Sequence, residues 1–275
     1  KRPATYCRNV GKRRRWEFVI KNNENEKKVV SDSFIWDFLK PWVKSNEAKI
    51  ERKAIYTFQS AIAKKWRKER VFLAGDAAHL MPPFMGQGMC AGIRDASNLA
   101  WKINHCIKNG HNEKLLNSFQ SERFSNVKEY IQTTMKMGEF INAMRSYKIA
   151  DTVSDQSDGS KSMKSIKPEL GPGLGLKSNK HRGKIFPKFN IKNSKSFDDI
   201  FSTEPVLIVS DNLSVGKLKS KIKIIKEASY KELSKIFKKF QVEAIIIRPD
   251  RFILETFNSR ENFIKKINKT LQGII

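Results

Sequence analysis

The stretch from Val71 to Met89 constrains the fold of this 275-residue chain more than any other segment. It reads VFLAGDAAHLMPPFMGQGM, in which a short apolar run ends at Gly75-Asp76 and a Pro-Pro corner leads to Gly86-Gln87-Gly88. Four consecutive apolar residues bounded by glycine predict a strand that is covered on both faces. The periodic segment that follows Gly86 predicts a long helix. The stretch therefore predicts the strand, turn and helix of an α/β domain.

Asp76 follows the carboxyl end of this predicted strand, which is the edge of an open α/β sheet where ligands bind. A carboxylate at that edge can accept hydrogen bonds from sugar-like hydroxyl groups. Pro82 and Pro83 stiffen the corner, while Gly86 and Gly88 allow the main chain to approach a ligand closely. The first N–H groups of the helix carry a partial positive charge suited to an electron-rich oxygen. We therefore interpret the stretch as a ligand-binding turn.

The helix after Gly86 is predicted to bury one apolar stripe against a sheet. The residues of this stripe recur at helical spacing: Met89, Ile93, Ala96, Leu99, Ala100, Ile103 and Ile107. Arg94 and Asp95 lie off the stripe and are assigned no chemistry. His79 is interpreted as a structural hydrogen-bonding residue. A second helical pattern runs from Glu113 to Tyr147.

The formal net charge of +26, from 54 Lys and Arg against 28 Asp and Glu, bears on the choice of partners. A large basic excess can indicate nucleic acid or an anionic surface as a partner. Here the basic residues are mostly Lys, lie along the whole chain and form no nucleic-acid motif, which favours a solvated surface. Cys7, Cys90 and Cys106 show no metal or redox spacing, so no metal site is predicted and a reducing, cytoplasmic compartment is expected. No apolar run has the length of a membrane span.

The central stretch resembles the second flavin-binding motif of the FAD-dependent aromatic hydroxylases, which are class A flavoprotein monooxygenases. The resemblance is carried by GDAAHLMPPFMGQGM, continued by Arg94-Asp95-Ala96 and Asn98-Leu99-Ala100-Trp101-Lys102, and it points to the 3-(3-hydroxyphenyl)propionate hydroxylase branch. It implies that Asp76 binds the ribityl and pyrophosphate region of FAD and that the loop from Pro82 to Met89 lies against the isoalloxazine ring. The implied cofactor-binding residues are Gly75, Asp76, Pro82, Pro83, Gly86, Gln87, Gly88 and Met89.

The C-terminal third alternates predicted strands and helices, which indicates α/β layering. The predicted elements are Val206–Val209, Ala228–Phe240, Val242–Ile247, Arg251–Leu254 and Phe263–Leu271. Their order, with Arg248-Pro249-Asp250-Arg251 between two strands, resembles the thioredoxin-like domain of phenol-type hydroxylases. No cysteine follows Cys106, so thiol redox chemistry is excluded there. The predicted organisation is the C-terminal part of a doubly wound FAD-binding domain with a substrate-sheet remnant (1–150), a linker (151–183) and a thioredoxin-like domain (184–275).

The sequence departs from the family in one respect, because it has no βαβ unit with Gly-x-Gly-x-x-Gly for the adenosine pyrophosphate. The resemblance therefore concerns the C-terminal half of the family's architecture. It implies the FAD-binding portion of a monooxygenase that uses NADH or NADPH and dioxygen to hydroxylate a phenolic compound, completed by an N-terminal half-protein or acting as a homodimer. The alternatives are a non-enzymatic interaction protein or decayed fragment of the same fold and, as a lesser hypothesis, a basic nucleic-acid-binding protein.

Overall fold

The computed structural model describes residues 2, 4–143, 154–155, 161–162, 166, 169–175, 179–191, 196–201, 203–216, 218, 222–258 and 262–272. Within these residues the chain has a mixed α/β fold, which confirms the predicted fold class at this level. It contains a hairpin with two short helices, a group of two-residue strands, two long helices and a four-stranded sheet. Across the described ranges, no helix is both long enough and apolar enough to cross a membrane.

The N-terminal part consists of short elements. Strand β1 (Ala4–Arg8) pairs antiparallel with β2 (Arg14–Phe18), and two short helices follow, α1 (Glu26–Val29) and α2 (Asp32–Leu39). Ser31 caps α2, because its side chain accepts a hydrogen bond from a main-chain N–H in the first turn. Phe18 of β2 stacks on Phe38 of α2, with ring centroids 5.1 Å apart, which joins the hairpin to this helix.

The strand at Val71 is shorter and more exposed than its apolar sequence predicted. Four two-residue strands occupy this region: β3 (Ala61–Ile62), β4 (Arg67–Lys68), β5 (Val71–Phe72) and β6 (His79–Leu80). Strand β5 pairs antiparallel with β4, and Val71 is 67% exposed. The prediction of a strand covered on both faces is wrong, because the described chain packs on one side only, where Phe72 meets Phe119 with ring centroids 6.3 Å apart.

Two long helices, α3 (Gly88–Asn109) and α4 (Glu113–Ala143), pack against each other. The predicted apolar stripe of α3 is wrong in large part, since Met89, Ile93 and Ile107 are 76%, 60% and 78% exposed. The buried face of α3 is instead mostly polar, with Asp95, Asn98, Lys102 and His105 all inaccessible to solvent or nearly so. Helix α4 supplies partners for three of these side chains, since Asp95 bonds to Arg123 and both Asn98 and Lys102 bond to Glu122. The second helical pattern is confirmed as far as Ala143, and its remainder to Tyr147 lies outside the described residues.

Glu122 of α4 is the centre of a fully buried ionic cluster. Its Oε1 accepts hydrogen bonds from Arg248 Nη1 at 2.7 Å and from the Leu174 N–H at 3.0 Å. Its Oε2 accepts from Lys102 Nζ at 2.8 Å, from Asn98 Nδ2 at 3.0 Å and from Arg248 Nη2 at 2.8 Å. Burial alone raises the pKa of the Glu122 carboxyl, but the charges of Arg248 and Lys102 outweigh it and hold that pKa well below its usual value.

The C-terminal sheet comprises β9 (Val206–Val209), β10 (Lys223–Lys226), β11 (Ala244–Ile247) and β12 (Ile253–Phe257), in the order β10-β9-β11-β12. Strands β10 and β9 are parallel, and β11 is antiparallel to both β9 and β12. A two-stranded pair, β7 (Ser154–Asp155) and β8 (Lys161–Ser162), precedes the sheet, and helices α5 (Lys231–Phe240) and α6 (Phe263–Gln272) accompany it. All the predicted elements are present with boundaries shifted by a few residues, while β10 was not predicted.

The two faces of the sheet have different neighbours. Ile208 and Ile245 belong to a core shared with α5, whereas Leu207 and Ile246 belong to a core shared with α6. The second core also includes Trp101 of α3 and Leu115 of α4. The sheet is therefore packed directly on the long helices.

The segment 169–175, which is rich in glycine and resembles no known phosphate loop, is packed between α4 and the sheet. Leu170 and Leu174 are buried, and the Gly171 N–H donates to the main-chain oxygen of Glu122 at 2.8 Å. The main-chain N–H groups of Leu170, Gly171 and Leu174 are thus bonded within the protein. The boundaries proposed above for the domains and linker stay predictions.

Replacing Glu122 by Gln tests the importance of the ionic cluster. We expect Glu122→Gln to lower the free energy of unfolding by roughly 3 kcal/mol, because it leaves the buried Lys102 and Arg248 without a full countercharge. Urea denaturation measures this change. The matched control is Glu129→Gln, which removes an exposed carboxylate from the same helix and should leave stability unchanged. Equal stability of the two variants would contradict the assigned role of Glu122.

Lys102 is expected to make stability depend on alkaline pH. Burial lowers the pKa of Lys102 to about 8, although Glu122 opposes this shift, while an unfolded lysine has a pKa of about 10.4. Folding therefore becomes more favourable as pH rises from about 8 to about 10.4, because only the unfolded chain still holds the proton. The free energy of unfolding of wild type minus that of Lys102→Met should rise by roughly 3 kcal/mol across this window. The exposed-residue control, Lys128→Met, should give a flat difference.

Candidate functional site

The turn after β5 presents Asp76 to solvent. Gly75 has φ +58°, a left-handed conformation that favours glycine, and residues Gly75–Ala77 form a single 3-10 turn closed by a hydrogen bond from the Ala78 N–H to the Gly75 oxygen. The side chain of Asp76 is exposed and, among the described residues, none donates a hydrogen bond to it. This carboxylate is therefore available to a ligand.

The second part of the candidate site is the corner between β6 and α3. Pro82 is buried, Pro83–Met85 form a 3-10 turn, and Gly86 ends that turn with φ +61°. Helix α3 then begins at Gly88, and its N-cap residue Gln87 makes no side-chain capping bond. Among the described residues no side chain accepts from the N–H groups of Gly88, Met89 and Cys90, which suits them to meet an electron-rich group.

Contacts within the chain bring the two parts together. Gly75 and Gly92 lie back to back, since a Cβ atom built on Gly92 is 3.4 Å from the Gly75 Cα. The corner is held on its other side by α4, where Phe84 packs on the glycine at position 138. Of the predicted site residues, Pro82 is buried, Gly75, Gln87 and Gly88 are half-buried, and the others are exposed: Asp76, Pro83, Gly86 and Met89.

Asp95 lies directly beneath the turn and was not identified as a site residue from the sequence. Its Oδ2 accepts hydrogen bonds from the Gly75 N–H at 3.0 Å and from His79 Nε2 at 2.6 Å, and its Oδ1 accepts from Arg123 Nε at 2.7 Å. Burial alone raises the pKa of Asp95, but the bond from His79 and the charge of Arg123 outweigh it and lower that pKa. The sequence feature that pointed to this role is the recurrence of polar residues at positions 95, 98, 102 and 105, a helical spacing that places them on one face of α3.

Arg94 braces the corner from the adjacent position. Its Nη2 donates to Gln87 Oε1 at 3.1 Å, and its guanidinium lies 4.8 Å from the ring centroid of Tyr130 on α4. His79, interpreted from the sequence as a structural residue, is buried against Trp66 and bonded to Asp95. That prediction is confirmed. The arrangement has an exposed carboxylate, uncapped amides and a rigid polar support, which together suit the binding of a polar ligand.

Comparison with known proteins identifies relatives of this chain. Residues 8–134 match the family described as the FAD binding domain. A probable NADH-specific resorcinol 4-hydroxylase of Rhodococcus jostii (strain RHA1) is 34% identical over 215 residues, which cover 75% of this chain and 39% of that protein. Residues 8–134 thus carry an FAD binding domain, and the chain is similar to FAD-dependent aromatic hydroxylases. The resemblance inferred from the central motif is thereby confirmed.

Other hydroxylases are similar to this chain in sequence or in fold. A 3-(3-hydroxy-phenyl)propionate/3-hydroxycinnamic acid hydroxylase of Mycolicibacterium smegmatis (strain ATCC 700084 / mc(2)155) is 37% identical over 130 residues, covering 47% of this chain and 23% of that protein. The crystal structure of aklavinone-11 hydroxylase with FAD and aklavinone superposes with a TM-score of 0.70 at 16% identity, covering 94% of this chain and 54% of that chain. The structural likeness concerns the fold. The present chain thus spans between a quarter and about half of these hydroxylases.

We expect Gly86 to contribute to stability solely because glycine adopts the left-handed backbone conformation at this position without strain. Gly86→Ala is expected to lower the free energy of unfolding by about 1 kcal/mol, since an alanine at φ +61° is strained although its Cβ meets no other atom within 4 Å. Gly11, with φ +63° and equally open surroundings in the β1–β2 turn, is the matched control, and Gly11→Ala should cost a similar amount. Urea denaturation compares them. An unaffected Gly86→Ala variant would argue against the left-handed corner.

Proposed function

We propose that this chain forms the isoalloxazine and ribityl side of the FAD site of an NADH- or NADPH-dependent aromatic monooxygenase. The observation that carries the proposal is the exposed Asp76 carboxylate, which has no donor among the described residues and is held in a rigid turn against α3. The family match over residues 8–134 supports the same cofactor. The proposal covers a portion of the enzyme, since the related hydroxylases are much longer than this chain.

The residues of the turn and corner fit the cofactor chemically. Asp76 is suited to accept hydrogen bonds from ribityl hydroxyls, and the uncapped amides at the start of α3 are suited to an anionic pyrimidine edge of the flavin. Gly75, Gly86 and Gly88 permit close approach of the main chain. The proposed ring-side loop also includes Pro82, Pro83, Gln87 and Met89. When bound and reduced by nicotinamide, FAD supplies the oxygen chemistry, while this chain orients the cofactor and excludes water from one side.

A phenolic compound is the proposed substrate class, with dioxygen as the second substrate. This rests on the names of the two relatives, one a resorcinol 4-hydroxylase and the other a 3-(3-hydroxy-phenyl)propionate/3-hydroxycinnamic acid hydroxylase. No substrate-binding or catalytic side chain is assigned in this chain. A cytoplasmic location is proposed from the three cysteines, all of which are free thiols.

We propose that residues 184–275 form a thioredoxin-like domain attached to the C-terminal part of a doubly wound FAD-binding domain. The mixed sheet supports this, since its order is β10-β9-β11-β12 with β11 antiparallel to its neighbours, and helices cover it. The absence of cysteine after Cys106 leaves this domain a packing or dimerisation role. An N-terminal half-protein or a second copy of the chain is the proposed macromolecular partner.

Flavin titration tests the proposed cofactor site. We expect the chain to quench FAD fluorescence on binding, and Asp76→Ala to raise the Kd about tenfold or more by removing a charged hydrogen-bond acceptor. FMN should bind about as tightly as FAD, because the contacts proposed here involve the ring and ribityl portion that both share. The control is Asp37→Ala, which removes an exposed carboxylate from α2 and should leave the Kd unchanged.

Two results would overturn the proposed site. One is an Asp76→Ala variant that binds FAD with the affinity of the wild type. The other is a wild-type chain that does not bind flavin even when supplied with the N-terminal half of a related hydroxylase. The second result, combined with a stable complex of the two polypeptides, would favour the non-enzymatic interaction protein.

A further inference from the structure

We propose that Asp95 is the positioning residue that holds the Asp76 turn in its flavin-binding conformation. The inference rests on the proposed function, in which Asp76 binds the ribityl region of FAD. It adds a residue that makes no contact with the cofactor but acts through the main chain next to Asp76. Its basis is the set of three hydrogen bonds that Asp95 makes to three different elements.

The first of these bonds fixes the main chain of the turn. The Gly75 N–H donates to Asp95 Oδ2 at 3.0 Å, immediately before Asp76 and at the point where the chain enters a left-handed conformation. Asp76 itself is exposed and lacks a donor from the described residues. The position of the ligand-facing carboxylate is therefore determined by the carboxylate buried beneath it.

The second bond ties the same oxygen to β6. His79 Nε2 lies 2.6 Å from Asp95 Oδ2, so this nitrogen must carry the proton that the carboxylate accepts. The ring is buried and packs on Trp66 with centroids 5.4 Å apart. His79 thus cannot swing away, and the two donors, one on either side of the turn, lock a single orientation of the Asp95 side chain.

The third hydrogen bond holds the Asp95 side chain against α4 and pairs its buried negative charge. Arg123 Nε donates to Asp95 Oδ1 at 2.7 Å, and Arg123 Nη1 donates to Asn126 Oδ1 at 2.6 Å, so the guanidinium is fixed on α4. Arg123 and Asp95 are both fully buried. The negative charge of Asp95 is neutralised by Arg123, which leaves Asp76 as the carboxylate at this turn that faces outward.

The substitution Asp95→Asn tests this role, because it keeps the shape of the side chain but replaces one acceptor oxygen by an amide NH₂ group, which can only donate. Arg123 is the stronger donor and should retain the remaining oxygen, so that the new NH₂ group faces the N–H groups of Gly75 and His79. We expect amide hydrogen exchange at Gly75 to accelerate about tenfold in the ligand-free chain, as one hydrogen bond is lost. The Leu73 amide, bonded to the Trp66 oxygen, should stay protected. The Kd for FAD should rise about tenfold.

Glu122→Gln is the control for a merely structural effect. It disrupts the neighbouring ionic cluster between α3 and α4 but none of the contacts of Asp95. Under conditions where both variants are folded, it should leave the Gly75 amide and the FAD Kd as in wild type. If Asp95→Asn does not fold, a second variant is His79→Phe, which removes one of the three hydrogen bonds to Asp95 while Arg123 remains paired with it. FAD affinity should still fall several-fold in this variant.

The outcomes separate this inference from the proposed function. An Asp95→Asn variant with wild-type FAD affinity, or an equal loss of affinity in Glu122→Gln, would overturn the positioning role while leaving the flavin site intact. Failure of the wild type to bind FAD, alone or with the N-terminal half of a related hydroxylase, would overturn the flavin site and the flavin part of this inference. In that case the Gly75 amide would still decide whether Asp95 holds the turn.

Discussion

The buried carboxylate of Glu122 is the constraint on which the rest of the structure depends. A charge removed from water is tolerated only when it is paired and fully hydrogen-bonded. Glu122 meets that requirement with donors from α3, from the 169–175 segment and from the loop between β11 and β12. Because none of these elements alone supplies enough donors, the carboxylate is satisfied only in an arrangement that brings all of them to α4. The cluster therefore selects one packing of the helices on the sheet.

Two aspartates near one turn show how environment separates the roles of identical side chains. Asp95 is enclosed by donors and has a lowered pKa, so its charge serves the fold. Asp76 lies in the 3-10 turn beside it and faces solvent. A turn that leaves the Asp76 carboxylate exposed needs support from neighbouring residues, and Asp95, paired with Arg123, supplies it by accepting the hydrogen bond from the Gly75 N–H.

Much of this fold was predictable, and what escaped prediction has a common physical cause. The central motif and the strand at Val206–Val209 were identifiable because local sequence pattern specifies them. The polar buried face of α3 was not, since its stabilising partners are distant in sequence: Arg248 pairs with a residue 126 positions away. Apolar periodicity consequently chose the wrong face, and Met89 and Ile93 are exposed.

Two further misses follow the same logic. Strand β10 was missed because lysines flank its two isoleucines, as is common on a sheet edge. The apolar run at Val71 was predicted to be buried on both faces. Its apolar composition alone does not show which neighbouring elements cover the strand. The candidate site at Asp76 and the Gly86 corner was named from local sequence, because turns and glycines are specified by neighbouring residues. Asp95 was missed, because its polar side chain acts through contacts that only the folded chain creates.

The packing of the sheet against the long helices bears on how separable the parts of this protein are. Trp101 and Leu115 belong to the same core as Leu207 and Ile246, and the ionic cluster crosses the same boundary. A change in amino-acid composition along the chain therefore does not separate parts that are stable independently of each other. Excising the C-terminal unit would expose the apolar surface of this shared core and remove Arg248 from Glu122, so the long helices and the sheet depend on each other for stability.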